Sequence, residues 1–247
     1  MTAPIVIVGA GQAAASFISR HVALANPQPV VLIGEESHPP YQRPPLSKKY
    51  LLGQLERERL FIRPLEWYQE QNIDLHLDTR VETIQPQHHS LQTASGETID
   101  YDKLLLCTGS SARRLPAAVG GSLDGVFTLR SIADIDRNSP EFQSGRKLLI
   151  IGGGYIGLEA AAVARQLGLE VTLLEMAERI LQRVAAAATS DYFRSLHREH
   201  GVEVRESTRL ARLLEKDGKL CGAELESGEV IDADLALVGI GGSANIE

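Results

Sequence analysis

Two glycine-rich loops of one type occur in the chain, separated by about 140 residues. Each follows an apolar run and has the pattern Gly-x-Gly-x-x-small, formed by Gly9, Gly11 and Ala14 in the first loop and by Gly152, Gly154 and Gly157 in the second. In such a loop the first glycine permits a tight turn, the second lets a pyrophosphate approach the backbone, and the third small residue lets helix and strand pack. Free amides at the start of the next helix then face the anion. The spacing predicts two phosphate-binding loops.

An acidic residue follows each loop at the end of a second apolar strand. Glu35 ends the run VVLIGE, and Glu175 ends the run VTLLE. A carboxylate at this place binds ribose hydroxyls and repels a 2′-phosphate. For either loop alone, the alternative is a generic glycine turn between a strand and a helix. Because loop and acid occur together twice, the sequence predicts two dinucleotide cofactors that exchange electrons, with the unphosphorylated nicotinamide cofactor favoured.

Two arginines leave that preference open to change. Arg179 and Arg183 lie just past the second acid. They either weaken the discrimination against a 2′-phosphate or form a solvated helix face.

The elements around each loop form a βαβ unit. In the first unit we predict a buried strand over Pro4–Val8, a helix from Ala10 to about Ala25, and a strand over Val30–Ile33. In the second unit the corresponding predictions are a strand over Lys147–Ile151, a helix over Tyr155–Leu167 ended by Gly168, and a strand over Val171–Leu174. Later in each half an apolar strand ends in glycine, YDKLLLCTG at Gly109 and ADLALVGIG at Gly241.

The segments outside these units are less regular. Residues 38–48 hold four prolines and exclude regular structure. Strand-like alternation covers 73–77 and 81–84, and TASGET predicts a turn between hairpin strands. Loop-rich residues 110–125 predict a crossing between domains. The sequence therefore predicts an α/β fold with two Rossmann-like domains, each with a parallel sheet and a small antiparallel β meander; that the two domains are nested is implied only by the family resemblance given below.

Composition excludes several functions. The net charge of −7 opposes binding to nucleic acid or to an anionic membrane, and no apolar run is long enough to span a membrane. The two cysteines, Cys107 and Cys221, have no metal-site or redox spacing and indicate a reducing, cytoplasmic location. His197 and His200 are expected on a surface helix and not at a metal.

Five motifs turn this class into a family resemblance. They cover nearly the whole chain in order: PYQRPPLSKKYL after LIGEE, YDKLLLCTGSSARRLP, GVFTLRSIADID, LLIIGGGYIGLEAAAVARQLGLEVTLLE and ADLALVGIG. The sequence resembles the ferredoxin-reductase type of FAD-dependent NADH oxidoreductase. The resemblance implies a glutathione-reductase-like fold with an FAD-binding domain over 1–112, an NADH-binding domain over 113–243, and a return to the FAD domain at 244–247.

The resemblance also implies site residues. The residues expected along FAD are Gly9, Gly11, Ala13, Ala14, Glu35, Arg43, Lys48, Val81, Thr108, Gly109 and Arg130. The residues expected along NADH are Gly152, Gly154, Tyr155, Ile156, Gly157, Glu159, Glu175 and Gly241. Lys48 is expected beside the reactive edge of the flavin, paired with Glu159, which faces the nicotinamide. The alternative for Lys48 is a lysine that faces solvent, and the alternative for Glu159 is a carboxylate that only interacts with the start of its helix.

The implied reaction is hydride transfer from NADH to FAD, followed by single-electron transfer to an iron–sulfur protein of an oxygenase system. Disulfide reduction is not expected, because PPLSKKYLLG lacks the cysteine pair of the related disulfide reductases. In the resembled family the chain continues past the residue that corresponds to Glu247. The resemblance therefore also implies an incomplete FAD domain with weak FAD binding. A nucleotide-binding module without turnover stays open, as does a reductase for another acceptor, such as rubredoxin or a nitrite-reductase subunit.

Overall fold

A computed structural model describes residues 3–246 of the chain. Its backbone contacts divide these residues into two compact units. The first unit contains the described residues up to Arg43, then Glu56–Ser110, and the end of the chain from Ala244. The second unit contains Pro44–Leu55 and Ser111–Ser243. The proline-rich segment after residue 43 therefore belongs to the second unit.

The first unit begins with a βαβ arrangement and then forms a meander. Its elements are β1 (Ile5–Val8), α1 (Gln12–Ala23), β2 (Val30–Ile33), α2 (Leu65–Glu70), β3 (Ile73–His76), β4 (Val81–Gln85), β5 (Ser90–Thr93), β6 (Thr98–Asp100) and β7 (Lys103–Leu106). A parallel sheet has the strand order β3-β2-β1-β7, and β4, β5 and β6 form an antiparallel sheet. β8 (Ser110–Ala112) follows at the division between the units.

Two apolar clusters cover the two faces of the parallel sheet. On one face Ile7 and Leu32 pack with Ile18 of α1 and Tyr68 of α2. On the other face the alternate strand residues pack with Leu91 of β5 and with Tyr101, which follows β6. Because both faces are covered, the two middle strands β1 and β2 are apolar along their length, as expected for a buried parallel sheet.

The second unit repeats this plan with an additional strand. Its elements are β9 (Val126–Phe127), α3 (Ile132–Asn138), β10 (Lys147–Ile151), α4 (Tyr155–Gln166), β11 (Glu170–Leu174), α5 (Ala187–Glu199), β12 (Val202–Arg205), β13 (Leu210–Lys216), β14 (Lys219–Leu225), β15 (Val230–Asp232), β16 (Leu235–Val238) and β17 (Gly242–Ala244). The parallel sheet has the order β12-β11-β10-β16-β9, β13 to β15 are antiparallel, and β17 pairs with β8. The predicted fold class, with parallel sheets and small antiparallel meanders, is confirmed.

Some local predictions need correction. α1 begins at Gln12 and not at Ala10, because Gly11 takes an extended conformation as the N-cap. Residues 44–47 form a 3₁₀ turn where we expected no regular structure. Prolines are tolerated there because the first residues of such a turn need no hydrogen-bonded amide. In the described part of the chain, the helices are too short or too polar to cross a membrane.

Candidate functional site

The first glycine loop needs glycine at one position and leaves open space at another. Gly9 has φ +105°, and a Cβ on it would lie 2.2 Å from the carbonyl oxygen of Cys107. A Cβ on Gly11 would meet no atom within 4 Å. Gly11 is also the N-cap of α1 and offers no side chain to the first amides of the helix. Those amides therefore face an open cradle, which fits a pyrophosphate.

The second loop repeats this geometry more tightly. Gly152 has φ +112°, and a Cβ on it would lie 2.4 Å from the carbonyl oxygen of Gly239. A Cβ on Gly154, the N-cap of α4, would again meet no atom within 4 Å. A Cβ on Gly157 would come within 2.1 Å of the Gly152 carbonyl oxygen. The close approach of α4 to the loop requires glycine, and the open side at Gly154 fits a second pyrophosphate.

Glu175 binds the second loop itself. Its Oε2 accepts a hydrogen bond from the amide of Gly153 at 2.7 Å, and its Oε1 accepts one from the amide of Ala177 at 2.8 Å. A Cβ on Gly153 would lie 2.6 Å from Ile180 and 3.2 Å from the Glu175 carboxylate. The carboxylate therefore holds the loop as well as standing where a ribose is expected. Gly153 lies within the predicted loop, between its first two glycines, and the structure adds that its amide binds Glu175.

Glu35 stands in a different environment. Its carboxylate is exposed and pairs with Arg80, with 2.7 Å between Oε1 and Nη1. Such an exposed pair contributes about 0–1 kcal/mol to stability. Glu35 is thus held by a surface arginine and not by its own loop.

Arg43, expected along FAD, belongs to a half-buried polar network. It donates from Nη2 to Glu36 at 2.7 Å and from Nη1 to the hydroxyl of Tyr41 at 2.8 Å. The Tyr41 hydroxyl in turn donates to the other oxygen of Glu36 at 2.6 Å. This network positions the guanidinium of Arg43, which is the last residue of the first unit before Pro44.

Lys48 and Glu159 lie together within the second unit. Lys48 Nζ is 2.6 Å from Glu159 Oε2, and the same oxygen accepts a hydrogen bond from Ser47 Oγ at 2.5 Å. Lys48 comes from the turn after Pro44, whereas Glu159 lies in the first half of α4. The structure therefore brings together the two charges that the family resemblance paired and adds a hydroxyl that the sequence did not reveal.

The remaining expected FAD residues of the first unit are ordered by local contacts. Val81 lies at the start of β4 and packs against the meander-side cluster. Thr108 donates from Oγ1 to the Asn245 carbonyl at 2.5 Å, and Asn245 Nδ2 donates back to the Thr108 carbonyl at 3.0 Å. The Asn245 amide also donates to the carbonyl of Gly109. Asn245 thus holds the turn after β7, a role that no motif in the sequence predicted. Ala13 is exposed and Ala14 is buried in α1.

The other expected residues of the second unit are accessible or held by backbone bonds. Tyr155 and Ile156, at the start of α4, are largely exposed apolar side chains. The Arg130 amide donates to Asp134 at 2.8 Å, where a capping box begins α3. Gly241 has φ +100°, and its carbonyl accepts from the amide of Arg113 at 2.9 Å.

The two arginines after Glu175 differ in their surroundings. Arg179 donates to the carbonyls of Ala185 and Gln182 and to the hydroxyl of Ser190. Its guanidinium therefore ties the loop before α5 together. Arg183 lies in the same loop, and a Cβ on Gly241 would be 3.6 Å from one of its terminal nitrogens. Neither arginine lies on a helix, so the helix-face interpretation is wrong.

Burial shifts the pKa of three side chains. It lowers the pKa of His197 below its usual value, because the side chain is 8% exposed, and the nearby His200 lowers it further. α5 is exposed along most of its length, as expected for a surface helix, but His197 lies on its buried side. Burial raises the pKa of the Cys107 thiol above its usual value. Burial also raises the pKa of Tyr68 to about 12, and its hydroxyl has no hydrogen-bond partner in the described residues.

Known proteins resemble the chain over nearly its whole length. It is 42% identical to a ferredoxin–NAD(P)⁺ reductase of a Sphingomonas species over 96% of the chain, and 39% identical to rhodocoxin reductase of Rhodococcus erythropolis over 98%. Each alignment covers 57% of the relative, so the chain spans just over half their length. The reductase in a covalent putidaredoxin reductase–putidaredoxin complex matches with a TM-score of 0.93 and 35% identity, over 97% of this chain and 58% of that one.

These matches confirm the resemblance to ferredoxin-reductase-type flavoproteins that the motifs predicted. The family model of the pyridine nucleotide-disulphide oxidoreductases matches residues 3–247, which include both glycine loops. The chain therefore belongs to the pyridine nucleotide-disulphide oxidoreductase family.

Proposed function

We propose that this chain carries the two nucleotide sites of an FAD-dependent NADH reductase that supplies electrons to a ferredoxin-type protein. The observation that carries the proposal is the repeated loop. In both units a strained first glycine is followed by a helix N-cap whose missing Cβ leaves open space. Two such cradles, each followed by an acid, support two dinucleotides in one chain.

The first unit would hold FAD. Its loop amides would bind the pyrophosphate, and the exposed carboxylate of Glu35 would bind the adenosine ribose. The other proposed FAD contacts of this unit are Ala13, Ala14, Arg43, Val81, Thr108 and Gly109, and the family resemblance adds Lys48 and Arg130 of the second unit. When bound, FAD supplies the hydride acceptor and divides the pair of electrons into single ones.

The second unit would hold NADH. The amides around Gly154 would bind its pyrophosphate, and Glu175 would accept from the ribose hydroxyls. Because that carboxylate already lies beside the loop, a 2′-phosphate there would meet a fixed negative charge. Arg179, whose guanidinium is bound by loop carbonyls, is not arranged to neutralise that charge. NADH is therefore the proposed donor, in preference to NADPH.

Lys48 and Glu159 would act at the reacting end of the cofactors. Lys48 would stabilise negative charge as the hydride acceptor is reduced, since a positive charge beside the reduced ring favours that product. Glu159 would hold the lysine in place and face the nicotinamide. Tyr155, Ile156, Gly157 and Gly241 complete the proposed NADH contacts.

Disulfide reduction is not part of the proposal. A redox-active thiol needs a lowered pKa and a nearby partner thiol. Burial raises the pKa of Cys107, and Cys221 lies in the other unit. The two free cysteines are consistent with the reducing, cytoplasmic location that we propose.

An iron–sulfur protein is the proposed acceptor. The supporting observation is the similarity to reductases whose names specify a ferredoxin, rhodocoxin or putidaredoxin. A rubredoxin or a nitrite-reductase subunit would use the same two nucleotide sites. The choice of acceptor is therefore tested separately, by measuring the rate at which each oxidised acceptor is reduced with NADH as the donor.

The decisive experiment is the visible spectrum of the FAD-loaded chain before and after NADH, without oxygen. We expect flavin absorbance that bleaches with NADH. Gly11→Ala and Gly154→Ala form a matched pair. In each variant the added methyl meets no protein atom within 4 Å, but it occupies the open space where one pyrophosphate would bind. We expect Gly11→Ala to lose flavin, and Gly154→Ala to keep flavin but need at least about tenfold more NADH.

Two outcomes would contradict the proposal. A colourless protein whose melting temperature NADH raises would leave a nucleotide-binding module without turnover. A protein that binds neither FAD nor NADH would overturn the assignment of both loops.

A further inference from the structure

We propose that Ser47 is a positioning residue that fixes the carboxylate of Glu159 for the nicotinamide end of bound NADH. The inference rests on the proposed function, because it assumes that the second unit binds NADH. It adds a residue that neither the glycine loops nor the expected lysine–glutamate pair includes.

The evidence is the geometry around one carboxylate oxygen. Ser47 Oγ donates to Glu159 Oε2 at 2.5 Å, and Lys48 Nζ reaches the same oxygen at 2.6 Å. Both donors use Oε2, which leaves Oε1 to accept from another group. A carboxylate held through one oxygen has a defined orientation for a ligand at the other.

Burial distinguishes the two donors. Ser47 is 7% exposed, whereas the Lys48 side chain is 46% exposed. A long exposed lysine samples several rotamers, and its ion pair is screened by water and salt. A buried serine has one side-chain torsion and a short reach. We therefore assign the orientation of Glu159 to Ser47 and the charge beside it to Lys48.

The backbone that carries Ser47 is restrained. Pro44 and Pro45 begin the 3₁₀ turn, and their rings limit φ. The carbonyl of Pro45 accepts from the amides of Lys48 and Tyr50, each at 3.0 Å. The Lys48 ammonium also donates to the Pro44 carbonyl at 3.1 Å. The hydroxyl is thus presented from a rigid turn.

Glu159 is restrained from the other side by its helix. Its neighbours Leu158 and Ala160 are buried, so α4 cannot rotate to move the carboxylate away. The loop that would bind the pyrophosphate begins this helix, and Glu175 would bind the ribose of the adenosine half. The carboxylate of Glu159 is therefore available to the other half of the dinucleotide.

The test compares two ligands that differ at that end. NAD⁺ contains nicotinamide, and ADP-ribose ends before it. We expect Ser47→Ala to weaken binding of NAD⁺ about tenfold, measured by calorimetry on the whole chain, since a hydrogen bond to a charged group is lost. Binding of ADP-ribose should change less than about twofold. Ser47→Thr, which keeps the hydroxyl, should restore most of the NAD⁺ affinity.

Thr172→Val is the matched control. Thr172 also donates its hydroxyl to a glutamate of the second unit, Glu203, at 3.0 Å. Its loss should leave both affinities unchanged. If Ser47→Ala does not fold, Ser47→Cys keeps the volume with a weaker donor and is measured in its place.

The remaining outcomes would overturn the inference. Equal losses for NAD⁺ and ADP-ribose, with a lowered melting temperature, would make Ser47 merely structural. Unchanged NAD⁺ affinity in a folded Ser47→Ala protein would also contradict a positioning role. Failure of the wild-type chain to bind either ligand would instead overturn the proposed function, and this inference with it.

Discussion

The two glycine loops share a backbone design but are held in different ways. In the first, the third small position is Ala14, whose methyl packs into the core. In the second it is Gly157, where a methyl would meet the Gly152 carbonyl at 2.1 Å. The acids differ too, because Glu175 accepts from loop amides and Glu35 pairs with a surface arginine. The same motif thus tolerates a looser and a tighter packing of helix on loop.

The largest expected effect comes from exchanging the third small residue between the loops. Gly157→Ala forces the backbone of α4 away from the loop, because the obstructing atom is a main-chain oxygen. We expect a loss of about 2–4 kcal/mol in the free energy of unfolding and at least about hundredfold weaker NAD⁺ binding. Ala14→Gly should cost about 1–2 kcal/mol, from a lost buried methyl and greater chain entropy. Denaturant melts and calorimetry measure both.

The comparison would fail if these two substitutions had equal effects. A folded Gly157→Ala protein with wild-type NAD⁺ affinity would show that α4 can move without disturbing the phosphate loop.

The second prediction exchanges the acids for amides. Glu175→Gln replaces one carboxylate oxygen by an NH₂ group, which cannot accept a hydrogen bond. The amide of Gly153 or that of Ala177 therefore loses its acceptor. We expect a loss of about 1–3 kcal/mol in unfolding free energy. Glu35→Gln removes an exposed ion pair, and we expect a loss below about 1 kcal/mol. Urea melts of both variants measure the difference, and similar losses would show that Glu175 does not hold its loop.

The smallest effects come from pH, where the units should respond in opposite directions. Tyr68 of the first unit has its pKa raised to about 12, so the unfolded chain loses its proton first. Stability should fall by up to about 2 kcal/mol as pH rises from about 10 to 12. Tyr68→Phe should remove this part of the alkaline loss, measured as the difference between the two proteins across that pH range.

His197 of the second unit should act at acidic pH. Its pKa is lowered in the folded protein, so the unfolded chain binds the proton first as pH falls below about 6.5. Stability should decrease from that pH downwards. His197→Gln should flatten this limb relative to wild type, whereas His88→Gln, which alters an exposed ring of the first unit, serves as the control. Parallel acid limbs for wild type and His197→Gln would contradict the assignment.

The sequence predicted the elements that local pattern controls. β1, β2, β10 and β11 are short apolar runs bounded by turn residues, and their existence followed from that pattern. The helix ended by Gly168 followed from its C-terminal glycine, which has φ +87°. α2 and α3 were not predicted, because a helix of six or seven residues shows too few turns for its apolar period to be recognised.

The residues of the site also divide into those that local spacing predicts and those that only long-range contacts bring together. The glycines of both loops and the acids after the second strands could be named from spacing alone, because they stand within one βαβ unit. The contacts of Ser47 with Glu159 and of Asn245 with Thr108 join residues 112 and 137 positions apart. No local period records such a contact, and Lys48 and Glu159 were paired only through a family resemblance.

By itself, the sequence determined where the backbone must turn tightly and where a helix must begin on an open cradle, because φ preference and side-chain volume are properties of single residues. Only the tertiary structure decided what each acid binds. Both acids follow the second strand of their unit, Glu175 directly after β11 and Glu35 two residues after β2. One meets Arg80, and the other meets the amides of Gly153 and Ala177. The partner of a carboxylate depends on which donors the fold brings within about 3 Å, and that distance is set by the packing of distant segments.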